Sequence, residues 1–128
     1  MPKRVLLIDD ETSIHEFVAR FLEPEGYEIL SADRGERGLL LAAREVPDLI
    51  IVDLVMPGMD GYAVCRSLRE GAATRRTPII MLTGNDDPAL NRNAYAAGAQ
   101  ACILKPFRRE ALIAVIQAVA TAIPQEQS

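Results

Sequence analysis

Five short apolar runs punctuate the chain: VLLI (Val5 to Ile8), EIL (Glu28 to Leu30), LIIV (Leu49 to Val52), IIML (Ile79 to Leu82) and ACIL (Ala101 to Leu104). Three are rich in β-branched residues. The central ones are continuous rather than alternating, as strands covered on both faces should be. Helix-period segments lie between them. Ile14, Phe17, Val18, Phe21 and Leu22 recur at i, i+3, i+4, i+7 and i+8, which makes one apolar stripe. Thr12 or Ser13 is placed to cap this helix, with Glu16 completing a capping box from Ser13. Pro24 and Gly26 end it. A second helix is expected from about Gly35 to Glu45, stopping before Pro47. A third runs from about Asp60 to Glu70. A fourth follows Asp86-Asp87-Pro88, with acids and proline at its start, and ends at Gly98. The fifth starts at about Phe107, carries Leu112, Val115, Ile116 and Val119 on one face, and meets Pro124. Ile113 and Ala120 lie off that face.

The result is βα repeated five times with short connections. This predicts an α/β fold, a doubly wound (βα)5 unit with a five-stranded parallel sheet and helices on both faces. The common strand order for such a unit is 2-1-3-4-5. One domain is expected over residues 1–123. The remaining PQEQS, residues 124–128, reads as a tail or the start of a linker.

Composition narrows the classes. A chain of 128 residues can bury roughly two-thirds of its unfolded surface. With 49% apolar residues, it is a globular chain rather than a disordered one. Its net charge of −4 argues against direct nucleic-acid binding, whose affinity comes mainly from Lys and Arg. Cys65 and Cys102 fit no metal-ligand or redox spacing and read as free thiols of a reducing compartment. MPKRVLLIDDE turns acidic too soon for a signal peptide. ALIAVIQAVATAI is too short to span a bilayer. A cytoplasmic location away from the membrane is the expectation.

Polar residues follow the strands. Asp9 and Asp10 come after the first, Asp53 ends the third, Thr83 the fourth, and Lys105 follows the fifth. Ligands of an open doubly wound sheet bind outside the carboxyl ends of its strands, where the strand order reverses. Here that point lies between the first and third strands, so Asp9, Asp10 and Asp53 should meet there. Three close carboxylates cannot all stay ionised without compensation. A hard divalent cation such as Mg²⁺ is the natural solution, since it often binds one or two carboxylates plus a phosphate. Lys105 suits a phosphoryl oxygen and Thr83 offers a hydroxyl donor. A carboxylate among them can take a phosphoryl group as an acyl phosphate. The loop after the first strand, DDETS, has neither GxGxxG nor GxxxxGK[ST]. A dinucleotide or P-loop site is therefore excluded.

These elements resemble the receiver domains of two-component response regulators, with their chemotaxis-regulator-like, flavodoxin-like fold. LLIDDE, DLIIVDLVMPGMDG, PIIMLTG and ILKPF occur in order, from Lys3 to about Ile123, with Asp53, Thr83 and Lys105 spaced as in that family. The resemblance implies that Asp53 is the phosphoacceptor and that Thr83 and Lys105 bind the phosphoryl oxygens. It implies Mg²⁺ (or Mn²⁺) at Asp9, Asp10, Asp53 and the backbone carbonyl of Val55, with Asp10 a direct ligand and Asp9 acting mainly through water. Lys105-Pro106 would be a cis peptide. The donor would be a histidine kinase or histidine phosphotransfer protein. The output would be a downstream protein or a homodimer through the fourth helix, fifth strand and fifth helix. One position departs from the pattern. Cys102 stands where the family usually has an aromatic residue that swings inward on phosphorylation. A thiol cannot sweep that volume, so the usual coupling does not carry over. Val55 and Asn85 would flank the path of an attacking water. Apolar Val55 cannot orient that water, which predicts slow self-dephosphorylation.

Taken singly, each residue has a plainer reading. Asp53 could cap the next turn, Asp9 and Asp10 could favour a helix start, and Lys105 could be a solvated cation. Their combination argues otherwise. His15 is expected at an exposed or edge position of the first helix, not as a phosphorelay residue. Cys102 reads as a small buried hydrophobe, and Arg75 and Arg76 as a solvated loop. The function expected is a phosphorylation-dependent signalling switch, not a turnover enzyme. The alternative is a small Mg²⁺-dependent phosphohydrolase with an aspartyl nucleophile. Adjacent acids in DDETS and the lack of a cap segment weigh against it. A pseudo-receiver scaffold would not need the complete set of five residues.

Overall fold

The computed structural model describes residues 3–122. Strands β1 (Lys3–Ile8), β2 (Tyr27–Ala32), β3 (Leu49–Asp53), β4 (Ile79–Thr83) and β5 (Ala101–Leu104) alternate with helices α1 (Thr12–Leu22), α2 (Gly35–Glu45), α3 (Gly61–Glu70), α4 (Pro88–Ala97) and α5 (Arg109–Ala122). A short 3-10 turn, Glu23–Glu25, follows α1. All strand pairs are parallel, in the order β2-β1-β3-β4-β5. This is the predicted architecture.

The continuous apolar runs are explained by two cores, one on each face of the sheet. Leu6, Ile8, Ile50, Val52, Ile79 and Met81 point to the side covered by α2, α3 and α4, where Ala42, Val64, Cys65, Leu68, Ala94 and Ala97 meet them. Val5, Leu7, Leu49, Ile51, Ile80 and Leu82 point to the other side, against Val18 and Leu22 of α1 and Leu112, Ile116 and Val119 of α5. The alternation is present, but both phases are apolar because both faces are buried. Ile113 packs partly onto this second core, while Ala120 is exposed.

Element ends differ from expectation in three places. The edge strand β2 extends to both sides of Glu28–Leu30, since pairing with β1 runs from Tyr27 to Ala32. Helix α1 is not capped by Thr12 or Ser13. Its N-cap is Glu11, with no side-chain cap bond; the Glu11 carboxylate instead meets Lys105 Nζ at 2.9 Å. The helix therefore begins before the predicted box. Helix α5 begins at Arg109 rather than Phe107, after the cis Lys105-Pro106 peptide that had been expected. His15, expected at an exposed or edge position, is half-buried, with both ring nitrogens bonded. The start of α4 fits the sequence reading, with Asp87 accepting from the Ala89 amide at 2.9 Å; α3 starts at Gly61, and Asp60 caps it by accepting from the Ala63 amide at 2.9 Å. Pro124, expected to stop α5, and the tail 124–128 lie outside the described residues.

Candidate functional site

Register brings the polar strand ends together. Ile8 is level with Val52 in the β1–β3 pair, so Asp9 and Asp53 leave neighbouring strands at the same height. Thr83 pairs with Leu104, and the Lys105 amide donates to the Thr83 carbonyl at 2.7 Å. The chain after Asp53 is held close. Gly61, the first residue of α3, donates its amide to Leu54 O at 2.8 Å. A Cβ at Gly61 would sit 2.6 Å from the Asp53 carbonyl oxygen, so only glycine lets α3 approach the strand end this closely.

Four of the five predicted residues, Asp9, Asp10, Asp53 and Lys105, meet at one cleft, and Thr83 ends the adjacent strand β4. Asp9 is fully buried, Asp53 and Thr83 nearly so, and Asp10 is exposed. One oxygen from each of Asp9, Asp10 and Asp53 lies within 4.8 Å of the others. Lys105 Nζ stands 3.1 Å from Asp53 Oδ1, 3.4 Å from Asp9 Oδ2 and 2.9 Å from Glu11 Oε1. Thr83 Oγ1 donates to the Asn85 carbonyl and accepts from the Asn85 amide, both at 3.1 Å. Asp10, Glu11, Asp53, Val55, Gly84 and Lys105 line an open cleft of about 360 Å³. Val55 is 75% exposed at its rim. Arg75 and Arg76 are exposed and lie elsewhere, in the segment before β4.

Charge in the cleft is under-compensated. Burial, reinforced by the charge of Asp9, pushes the Asp53 carboxyl up to about 6, against the pull of Lys105. Burial also raises Asp9, against the Glu11 amide and Lys105. Burial disfavours the Lys105 ammonium, yet its bonds to Glu11 and Asp53 and the charges of Asp9 and Asp53 outweigh this and raise it. One lysine thus faces several acids. A set of carboxylate oxygens with excess negative charge fits a hard divalent cation.

Sequence reasoning missed two contributors. Glu11 takes one of the three short Lys105 contacts, and His15 Nε2 lies 2.7 Å from the Asp9 carbonyl. The adjacency of Glu11 to the acidic pair was a signal for the first. For the second, the spacing of Asp9 and His15 carried none.

The model of the response regulator receiver domain matches residues 5–117. A probable transcriptional regulator ycf27 of Porphyridium aerugineum is 38% identical over 98% of this chain and 51% of its own length. The chain therefore spans about half the length of such a curated relative. Among solved structures, chemotaxis protein CheY4 of Vibrio cholerae aligns with a TM-score of 0.89 and 34% identity, over 93% of this chain and 99% of that one. The receiver domain of sensor histidine kinase PA1611 from Pseudomonas aeruginosa aligns with a TM-score of 0.87 and 29% identity, over 95% and 100%. That structure carries a magnesium ion coordinated in its active-site cleft. A parallel five-stranded sheet with acids, a hydroxyl and a lysine at its carboxyl edge defines a signalling module. This chain belongs to the response regulator receiver domain family. No helix among the described residues is long and apolar enough to cross a membrane.

Proposed function

We propose that this chain is a phosphorylation-dependent switch that accepts a phosphoryl group on Asp53 from a phosphohistidine of a kinase or phosphotransfer protein. A carboxylate oxygen of Asp53 attacks phosphorus and forms the acyl-phosphate bond. The P–N bond to the donor imidazole breaks, and its electron pair leaves with the imidazole. The observation that carries this reading is Lys105 Nζ at 3.1 Å from Asp53 Oδ1, in an open cleft shared with two further acids. Lys105 is placed to follow charge onto a phosphoryl oxygen. Thr83 can donate to another once its hydroxyl leaves the Asn85 carbonyl. Asp9, Asp10 and Asp53, with the backbone carbonyl of Val55, would hold Mg²⁺ or Mn²⁺, which when bound neutralises charge between carboxylate and phosphoryl oxygens.

The receiver unit is assigned to residues 1–123 of a cytoplasmic protein. Its output is a binding surface for a downstream protein or a second copy, formed by α4, β5 and α5. The partners act through protein contacts rather than nucleic acid or membrane. The test is intact mass after incubation with Mg²⁺ and acetyl phosphate or phosphoramidate. One phosphoryl adduct is expected, absent in Asp53→Ala. Turnover of phosphate esters would assign a hydrolase instead, and neither adduct nor turnover would leave a scaffold.

A further inference from the structure

Asp9 is held by more than its side chain. Its amide donates to the Ala32 carbonyl of β2 at 3.1 Å, and its Oδ1 accepts from the Glu11 amide. Its carbonyl meets His15 Nε2 at 2.7 Å. A carbonyl can only accept, so Nε2 carries a proton there. The other ring nitrogen, Nδ1, lies 3.0 Å from Ser31 Oγ of β2. The ring therefore bridges α1, the end of β1 and β2. It does so where α1 has no side-chain cap to secure its first turn. The peptide plane whose oxygen His15 fixes is the one that joins Asp9 to Asp10. The orientation of that plane determines where the exposed Asp10 carboxylate stands relative to the buried Asp9 and Asp53.

We infer that His15 is a positioning residue for the divalent-cation site. Resting on the cation reading above, it locks the Asp9–Asp10 peptide so that the acidic oxygens converge. It touches neither cation nor phosphoryl group. Hydrogen-bond partners behind ligand residues commonly set metal affinity as well as geometry.

Amide side chains separate this role from simple packing. The Nε2 of glutamine can occupy nearly the place of His15 Nε2, whereas the shorter asparagine cannot reach the Asp9 carbonyl. Mn²⁺ binding to the full chain is measured by electron paramagnetic resonance, with Mg²⁺ competition. The metal-free melting midpoint of each variant is recorded alongside. His15→Ala and His15→Asn are expected to weaken Mn²⁺ about tenfold, the lower end for loss of such a partner, while His15→Gln stays within about threefold. If His15→Ala does not fold, the glutamine and asparagine pair carries the comparison. Parent-like affinity in His15→Asn, or equal weakening in His15→Gln and His15→Asn, would overturn the assignment. A parent chain that binds no Mn²⁺ would overturn the cation site itself and this role with it.

Discussion

Asp53 is a nearly buried carboxylate and the centre of the proposed chemistry. Its carboxyl is pushed up to about 6, mainly by burial and then by Asp9, from an ordinary value near 4. A raised folded-state value means that the folded chain holds the proton more tightly than the unfolded one. The associated stability is fully present below about pH 4, is lost as pH rises toward 6, and stays lost above it. Asp53→Asn removes this penalty but also loses the Lys105 ion pair. The net expectation is a metal-free variant more stable than its parent at pH 7.5 by on the order of 1 kcal/mol, with the gap closing by about pH 4. Urea denaturation at the two pH values checks this, and a less stable variant at pH 7.5 would refute it. Mg²⁺ should raise the parent midpoint far more than that of the variant. At the cleft rim, the side chain of Val55 has no polar group to orient an attacking water. Its replacement by asparagine is expected to shorten the acyl-phosphate lifetime, read by the decay of the phosphoryl adduct. A slower-decaying variant would count against the role given to that position. Residues at this scale were legible wherever a strand run ended in a polar residue, as at Asp9, Asp53, Thr83 and Lys105. Glu11 and His15 were not, because their contacts depend on how far a side chain reaches across a turn.

Among the elements, α4 shows how a helix is secured by a neighbour. It has no basic residue in its last turn. Arg69 of α3 supplies the charge instead, donating from Nε and Nη2 to the Gly98 carbonyl at 3.0 and 2.8 Å. The same guanidinium reaches the carbonyls of Arg75 and Thr77 and the side chain of Gln100. A cation at a helix C-terminus is favourable, and several neutral acceptors share it here. Gly98 has φ of +114°, and a Cβ there would lie 2.6 Å from Arg69 Cγ. Both the turn and the clamp thus require glycine. Arg69→Ala strands these acceptors at once. It is expected to cost about 2–3 kcal/mol, measured by chemical denaturation, with hydrogen exchange rising in residues 71–78 and at the end of α4. An unchanged midpoint would show that water replaces the clamp. Periodicity and turn residues revealed where the helices lie and stop. They did not reveal this clamp, since nothing in RSLREG distinguishes a solvated arginine from one that ties three segments together. The start of α1 was misread for a related reason: a capping box matched locally, while the Asp9 turn had already taken the chain into the helix.

At the scale of the whole molecule, the proposed switch needs a path from Asp53 to the proposed α4–β5–α5 surface, with Cys102 rather than an aromatic residue at position 102. Cys102 is half-buried against the core beneath α4, and burial raises its thiol, so it behaves as packing. A series of polar turns links Thr83 to the start of α4. Thr83 Oγ1 accepts from the Asn85 amide, Asn85 Oδ1 from the Asp87 amide, and Asp87 Oδ1 from the Ala89 amide in the first turn of α4. Each bond closes a short turn of the kind Asn, Asp and Thr side chains favour. If Thr83 rotates its hydroxyl toward a phosphoryl oxygen, the first link is disturbed and the rest of the chain of turns must readjust. The C-terminal end of α4 stays anchored by Arg69, so the helix should respond at its N-terminal end. With Mg²⁺ and beryllium fluoride as an acyl-phosphate mimic, the amides of residues 85–87, 89 and 90 are expected to change exchange rate by about tenfold, equivalent to about 1.4 kcal/mol, while those near Gly98 do not. Asn85→Ala removes the middle link. It should still take up the mimic but show a smaller change at residues 89–90. An equal change in that variant would mean that coupling passes through the apolar layer around Cys102 instead, because packed side chains would then be the remaining connection between the site and α4.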